Sequence, residues 1–530
     1  MKATPRIVRG LTLPLGSPRA ALSGLAAESL GIAASDVREV RVQKVSVDAR
    51  GSVPTRVYTV EVWLASETPP SPVLPALRRP PRMRTLAPHE RPIIVGTGPA
   101  GLWAALRFIE AGVAPIILDR GGAMKDRHAS VRDLRRHGKL DPESNLCFGA
   151  GGAGTYSDGK LYTRKRDPLV RRVYEDLVAL GAPASILEDA HPHIGTNRLI
   201  KAYTPLEAFL NTHDVEVQYD ARVETLLRSN SGRVTGVRLA DGTEILGSAV
   251  VLATGHSARD LYVTLDDLGV PMARKAFAVG MRCEHPQPLI DAIQYGPHAG
   301  HDDLDPAEYF LKAKVGGRGV YSFCMCPGGF VIPTTTELGH LNVNGMSNHR
   351  RGSRFANAAL VVTVEPGDFY VDRPGDLDHH GALAGVAFQR TLEQRAYEAG
   401  GGGYKAPAQR VTDFIARRDG ALPSKTSYRP GVTAAPLHAL LPRRLSDPIA
   451  RAIHAFDQRM PGFITDEAQL LGFETTTSSP IRILRETTLE SPGFDGLYPC
   501  GEGGGWAGGI VSSAIDGIKV AEAVLGACRA

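Results

Sequence analysis

Residues Ile93 to Gly101 read IIVGTGPAG, a short apolar run that breaks into Gly96-x-Gly98-x-x-Gly101. In this pattern Gly96 permits a tight turn and Gly98 lets backbone approach a pyrophosphate. Gly101 lets a helix settle on a strand, with its N-terminus turned to the phosphates. Pro99 and Ala100 fill the turn, and Asp119 ends a second apolar run, APIILDRG. Its position fits the ~20-residue spacing of an acid that binds a ribose hydroxyl. The six-residue match alone is weak in a chain with 58 Gly in 530 residues. The preceding strand, the helical pattern LWAALRFIEAG and the distal acid together make it a dinucleotide-binding βαβ unit.

Two later segments belong with it. From Val215, VEVQY, RVETLLR, RVTGVRLADGTEIL and SAVVLATG read as a β-meander whose last strand stops at Ala253, Thr254 and Gly255. Near the end, GLYPCGEGGGWAGGIVSSAIDG reads as a strand, a loop at Gly501 and Glu502, and a helix beginning at Gly508, Gly509 and Ile510. The free N–H groups of that helix suit a flavin pyrimidine oxygen. A simple NAD domain would need neither segment, so FAD is the expected tightly held cofactor. In the loop between, Gly151, Gly152, Ala153, Gly154 and Thr155 are small enough for backbone N–H groups to reach a pyrophosphate or ring edge. Arg120, Arg127 and Val223 complete the candidate cofactor contacts.

Tyr156, Asp158 and Lys160 follow that loop and present acid, base or charge to the same place. His256 is a natural proton shuttle near neutral pH, and Arg350 or Arg482 would grip a substrate carboxylate bidentately. Tyr156, Asp158, Lys160 and the two arginines are of types more often structural than catalytic, while for His256 the two readings stand level. Cys324-x-Cys326 would make a strained disulfide and lacks a partner pair for zinc, so packing is preferred over redox exchange with the flavin, and no metal site is expected.

The fold class expected is α/β: a three-layer ββα FAD-binding Rossmann-type domain, an inserted α+β cap domain and a small N-terminal βαββ domain. The boundaries are 1–67 for the N-terminal domain, 68–91 for a stiff Pro/Arg-rich linker, 92–270 and 472–530 for the FAD domain, and 271–471 for the insertion. In the N-terminal domain Ser17-Pro18 reads as N-cap and N1 of a helix. Hydrophobic content of 43%, charged content of 22% and mean hydropathy of -0.12 describe a globular chain. No apolar stretch nears the ~18 residues of a membrane span, and the start lacks a signal-peptide core, so a cytoplasmic location is expected. Net charge is +5, with basic clusters at Arg78 to Arg91 and Lys160 to Arg172. They read as solvated faces first, as an anion site second and as a nucleic-acid surface last.

Beyond the fingerprint, the chain carries SNLCFGAGGAGTYSDGKLYT (144–163), HIGTNRL (193–199), ATGHSARD (253–260), SFCMCPGG (322–329), NGMSNHRR (344–351), TSSPIRI (477–483) and YPCGEGGGWAGGI (498–510). In these it resembles a largely uncharacterised prokaryotic family of FAD-dependent dehydrogenases, NAD(P)/FAD-dependent oxidoreductases with a glutathione-reductase-like FAD fold. The resemblance spans nearly the whole chain, SVDAR in the N-terminal domain included. Two positions depart from the family pattern: Ala150 replaces an acid, and Thr476 replaces an arginine.

The function expected is hydride transfer between a small, possibly anionic substrate and flavin N5, with a protein group carrying the proton. No second GxGxxG follows a strand, so electrons come from transient NADPH or NADH, an electron-transfer partner or oxygen. A flavin monooxygenase or oxidase is the alternative, although Gly501-Glu502 stands where such enzymes carry Gly-Asp. An RNA-associated flavoprotein is the alternative of another class; nucleic acid is not the expected partner.

Overall fold

The computed structural model describes residues 4–80, 82–423 and 425–527. At the N-terminal end, β1 (Arg6–Pro14), α1 (Leu22–Leu30), β2 (Val37–Asp48) and β3 (Thr55–Leu64) build an antiparallel sheet in the order β1-β3-β2. Tyr58, Val60 and Val62 alternate onto one face and close a separate core with Val8, Leu22 and Ala26. The helix begins later than Ser17-Pro18 suggests: a 3-10 turn occupies Arg19–Ala21, and no side chain caps α1. The unit is anchored to the body through Val45 N to Glu188 O at 2.8 Å and Gly16 N to Asp303 Oδ2 at 2.5 Å.

The segment 68–91 does not stand free as a stiff linker. Its Leu77, Met83 and Leu86 pack on the next core, and Arg84 N donates to Gly112 O at 2.7 Å. Enough apolar side chains lie among its prolines to hold it down.

The body continues through β4 (Ile93–Val95), α2 (Pro99–Glu110), β5 (Ile116–Leu118), α3 (Met124–His137), α4 (Thr196–Thr212), β6 (Glu216–Gln218), β7 (Val223–Arg228), β8 (Val234–Leu239), β9 (Glu244–Leu246), β10 (Val250–Leu252) and α5 (Arg259–Asp267). Next come β11 (Met272–Arg274), β12 (Phe277–Pro286), β13 (Lys312–Val315), β14 (Arg318–Pro333), β15 (Val343–Met346), β16 (Phe355–Val364), α6 (Ala384–Ala399), β17 (Ala406–Arg410), β18 (Val432–Ala434), α7 (Arg443–Arg459) and β19 (Gln469–Glu474). The chain ends with β20 (Ile481–Ile483), β21 (Leu497–Pro499) and α8 (Ile510–Ala527).

Five of these strands form a parallel sheet in the order β21-β10-β4-β5-β6. Its side chains alternate between two cores: Ile93 and Val95 meet Val223, Leu226 and Val237, while Ile94 meets residues of α2 and α8. A three-stranded antiparallel sheet therefore covers one face and helices cover the other. The stretch from Val215 to Gly255 is not one meander. β6 pairs in parallel with β5 and β10 inserts beside β4, so only β7, β8 and β9 form the antiparallel sheet.

The second sheet runs β13-β14-β16-β12-β19-β17-β18, with β15 paired to β14. It begins at Phe277 and reaches Glu474, so a boundary between 471 and 472 would cut β19. Pairing with β12 continues to Glu474, while β11 pairs instead with β20 in a two-stranded ribbon. Among the described residues, no helix is long and apolar enough to cross a membrane.

Candidate functional site

A cavity of about 1170 Å³ opens where the two sheets meet. Gly96, Gly98, Pro99 and Ala100 reach it from the β4–α2 turn, and Gly152, Ala153 and Gly154 from the glycine loop. Ala253, Thr254 and Gly255 after β10, Val223 of β7, and Glu502, Gly508, Gly509 and Ile510 before α8 join them. Asp119, Arg120, Asp158, Lys160 and His256 also line it.

Each glycine of the fingerprint meets a different constraint. A Cβ on Gly101 would lie 2.0 Å from Gly96 O, so this residue seats α2 against the turn. A Cβ on Gly98 would meet nothing closer than Gly152 Cα at 3.9 Å, leaving that spot open. Gly152, at φ +63, passes so near that its own Cβ would stand 2.6 Å from Gly98 Cα.

Several expected contacts are placed elsewhere or already engaged. Asp119 accepts from Thr97 N (2.8 Å), Thr97 Oγ1 (2.5 Å), Gly121 N (3.0 Å) and Gly149 N (2.8 Å). All four lone-pair positions are filled, so it fastens the turn to the glycine loop and has none left for a ribose hydroxyl. Arg127 is wholly buried and donates to the carbonyls of Asn145, Leu146, Gly149 and Ala150, which makes it the loop's internal anchor and not a cofactor ligand. Gly101, Gly151, Thr155 and Gly501 lie behind the cavity wall; a Cβ on Gly151 would run into Thr155, and one on Gly501 into Ala100. Ala150 is also fully buried off the cavity, whereas Thr476 lines it.

Three of the catalytic candidates are not in the cavity. Tyr156 is buried under Arg127 with its hydroxyl 3.2 Å from His128, and burial raises its pKa. Arg482 lies over the Trp506 ring. Arg350 lines a smaller hollow of about 650 Å³ with His349, Arg198 and Lys201. Of the residues after the ATG strand, Arg259 and Asp260 are taken up by ion pairs: Arg259 with Glu393 at 2.7 Å and Asp260 with Arg120 at 2.8 Å.

Those that remain form a charged group. Asp158 is sealed, its Oδ1 accepting from Ser347 and lying 3.5 Å from His193, and its Oδ2 is 3.3 Å from Lys160 Nζ. Burial alone would raise the Asp158 pKa, but the Lys160 charge and the His193 and Ser347 contacts hold it well below the usual carboxylate range. Burial likewise works against the Lys160 ammonium, and Asp158 overcomes it and raises its pKa. Glu502 is pushed up by burial, against the pull of His256 and Lys275. His256 has Nδ1 at 3.2 Å from Ser257 Oγ.

The far part of the lining is Tyr162, Arg164, Phe310, Lys312, Cys324 and Arg351. The basic cluster around Lys160 hinted at Arg164. Glu308, Phe310 and Lys312 carried no local signal; Lys312 arrives through the pairing of β13 with β14, and Glu308 and Phe310 lie just before that strand. Three other basic residues of these clusters are internally engaged: Arg172 with Glu110 at 2.6 Å, Arg78 with Asp176 at 3.5 Å, and Arg91 with three backbone carbonyls.

A family described as FAD-dependent protein, C-terminal domain-like, matches residues 276–477, which is the span of the second sheet. A domain of unknown function, DUF8436, matches residues 7–63. A Clostridium beijerinckii protein described as uncharacterized is 42% identical over 439 residues, 82% of this chain and 80% of that one. The chain belongs to this FAD-dependent protein family.

Solved structures overlap the family member loosely. The flavin-dependent brominase Bmp2 triple mutant has a TM-score of 0.36 at 14% identity, over 83% of this chain and 81% of that one. L-amino acid deaminase from Proteus vulgaris has 0.36 at 11%, over 84% and 93%. CtdE in complex with FAD has 0.32 at 10%, over 83% and 89%. Overlaps this loose bear on neither reaction nor substrate.

FAD fits the cavity of this FAD-dependent protein on its own terms. The volume exceeds the ~300–1,000 Å³ of ordinary ligand pockets, and Gly98, Gly255 and Gly508 leave open space where a Cβ would stand. The N-termini of α2 and α8 both border it, offering N–H groups and positive dipole ends to phosphate and to ring oxygen.

Proposed function

We propose that this chain is an FAD-dependent oxidoreductase that passes a hydride between a small anionic organic substrate and flavin N5. The observation that carries the reading is the double character of the cavity. It is walled by glycine backbone and helix N-termini at 96–100, 152–154 and 508–510, and by Lys160, Arg164, Lys312, Tyr162 and Phe310.

Bound FAD would supply the two-electron carrier, the part that protein side chains cannot play. Gly98 and Gly152 would hold the pyrophosphate against backbone, and the N-terminus of α8 would offer N–H groups to the flavin. Lys160, its pKa raised by Asp158, keeps its proton at neutral pH and acts as a fixed positive charge. The proton that accompanies hydride transfer therefore falls to His256, beside Ser257 and Glu502. Arg164 and Lys312 hold the anionic end of the substrate, and Phe310 and Tyr162 offer apolar surface to the rest of it. Electrons are supplied by transient NADPH or NADH.

The test is the absorption spectrum of the purified protein under nitrogen, before and after NADPH or NADH. A bound flavin band that bleaches, and that acid releases as FAD, is the expected result. A protein that purifies without flavin and takes up none when offered FAD sinks the reading. A bound flavin that neither nicotinamide reduces leaves the FAD site standing and removes the nicotinamide donor.

A further inference from the structure

Cys324 lies on β14, whose pairing with β16 is broken twice, between Phe323 and Cys326 and between Cys326 and Gly329. Such breaks re-aim side chains beside functional sites. Cys324 adopts φ +44, a left-handed conformation that non-glycine residues rarely take up. Its side chain lines the main cavity, whereas Cys326 is fully buried.

The surroundings of the pair are cationic and incompletely satisfied. Arg282 on β12, wholly buried, donates Nη2 to Cys324 O at 2.6 Å and to Cys326 Sγ at 3.3 Å. Its Nη1 reaches Glu474 Oε2 at 3.0 Å and its Nε reaches Asn357 Oδ1 at 2.7 Å. Gly345 makes room for it, since a Cβ there would collide with Nη2. Lys160 Nζ is shut off from solvent and makes no hydrogen bond, with only the Asp158 carboxylate at 3.3 Å. Glu474 Oε1 is likewise buried without a partner. Glu308 on the cavity wall is drawn away by Arg351 at 2.6 Å.

Two cations, Arg282 and Lys160, thus face three acids: Asp158, Glu474 and the Cys324 thiol. Burial pushes Glu474 up to about 7, while the Cys326 hydrogen bond and the two cations bring the Cys324 thiol down from its ordinary value. Cys326 keeps its proton, its Sγ donating to Cys324 O at 3.3 Å.

We propose that Cys324 is a nucleophilic sulfur of this protein, a thiol on the cavity wall that forms covalent adducts with small anionic disulfides. Arg164 and Lys312 on the same wall match the negative charge of that class. In the step, the Cys324 sulfur attacks one sulfur of the disulfide. A new S–S bond forms as the old one breaks, and the leaving thiolate departs with the electron pair and takes a proton from water. The disulfide is itself the oxidant.

The test is the rate of adduct formation at each cysteine, read by peptide mass spectrometry on the full chain as purified and after removal of any flavin. The probes are iodoacetamide and the anionic aromatic disulfide of thionitrobenzoate. The expected result at about pH 6 is labelling of Cys324 at least ~10-fold faster than any other cysteine, with a midpoint well below the ~8.5 of a free thiol. Lys160→Gln, which keeps a donor toward Asp158, slows it ~10-fold at that pH. Glu474→Gln, which removes a competing acid, does not slow it. The proposal falls if Cys324 in the unmutated chain reacts only as an ordinary thiol titrates, or does not react in either form. It falls also if a folded Lys160→Gln protein reacts unchanged. Because the flavin-free chain is labelled too, the outcome is independent of the FAD reading.

Discussion

At the residue scale, Gly98 and Asp119 set opposite expectations. A Cβ at Gly98 meets only an ordinary contact within the protein, so Gly98→Val should fold with a little-changed thermal midpoint yet purify without flavin. Full flavin content in that variant would move the site elsewhere. Asp119→Ala strands buried N–H groups of Thr97, Gly121 and Gly149, each costing roughly 1–3 kcal/mol. A loss of ~3 kcal/mol or more in urea unfolding is expected, with flavin loss as its consequence. Glu474 sets a pH dependence. Its ordinary value of 4.5 is raised to about 7 in the folded chain. Between those values the folded chain holds a proton that the unfolded chain releases, so stability falls as pH rises through that window. Glu474→Gln should flatten this slope, measured as unfolding midpoints at about pH 5 and about pH 7.5. An unaltered slope would show that the carboxyl titrates normally.

At the element scale, β4, the turn and α2 were legible because their geometry is local: a glycine's lack of Cβ decides the turn and the seat of the helix within nine residues, 93–101. Gly101→Ala, with its Cβ 2.0 Å from Gly96 O, should therefore lower the thermal midpoint by several degrees. A variant as stable as the parent would mean that α2 can shift without cost. The meander was misread because β6, β7 and β10 have similar apolar patterns, and only pairing with β5 and β4 assigns them to different sheets. Arg127 and Tyr156 looked like site residues because nothing in sequence tells an arginine that reaches a ligand from one that binds four backbone carbonyls. Phe310, Lys312 and Cys324 were not singled out for the site because β14 brings them there by register and by a break in pairing, neither written in residue type.

At the scale of the whole molecule, the two sheets are fastened by Arg259 of α5 and Glu393 of α6, a buried bidentate pair at 2.8 and 2.7 Å supported by Glu337 and Gln389. Arg259→Met leaves Glu393 buried and unpaired, a loss of about 3–5 kcal/mol. The double variant with Glu393→Met should recover much of that, and a double-mutant cycle in urea unfolding measures it. Purely additive losses would mean that the pair does not couple the two halves. The cavity itself is assembled from distant stretches: the β4–α2 turn near residue 98, β14 near 324, and the segment before α8 near 509. A nascent polypeptide emerging from the ribosome therefore presents its fingerprint turn some four hundred residues before the opposite wall exists. Until 497–527 is released, β10 lacks a neighbour on its outer edge and α2 lacks its partner helix. A premature stop before residue 497 would therefore yield a polypeptide with the nucleotide motif intact but without the cavity wall that 508–513 supply.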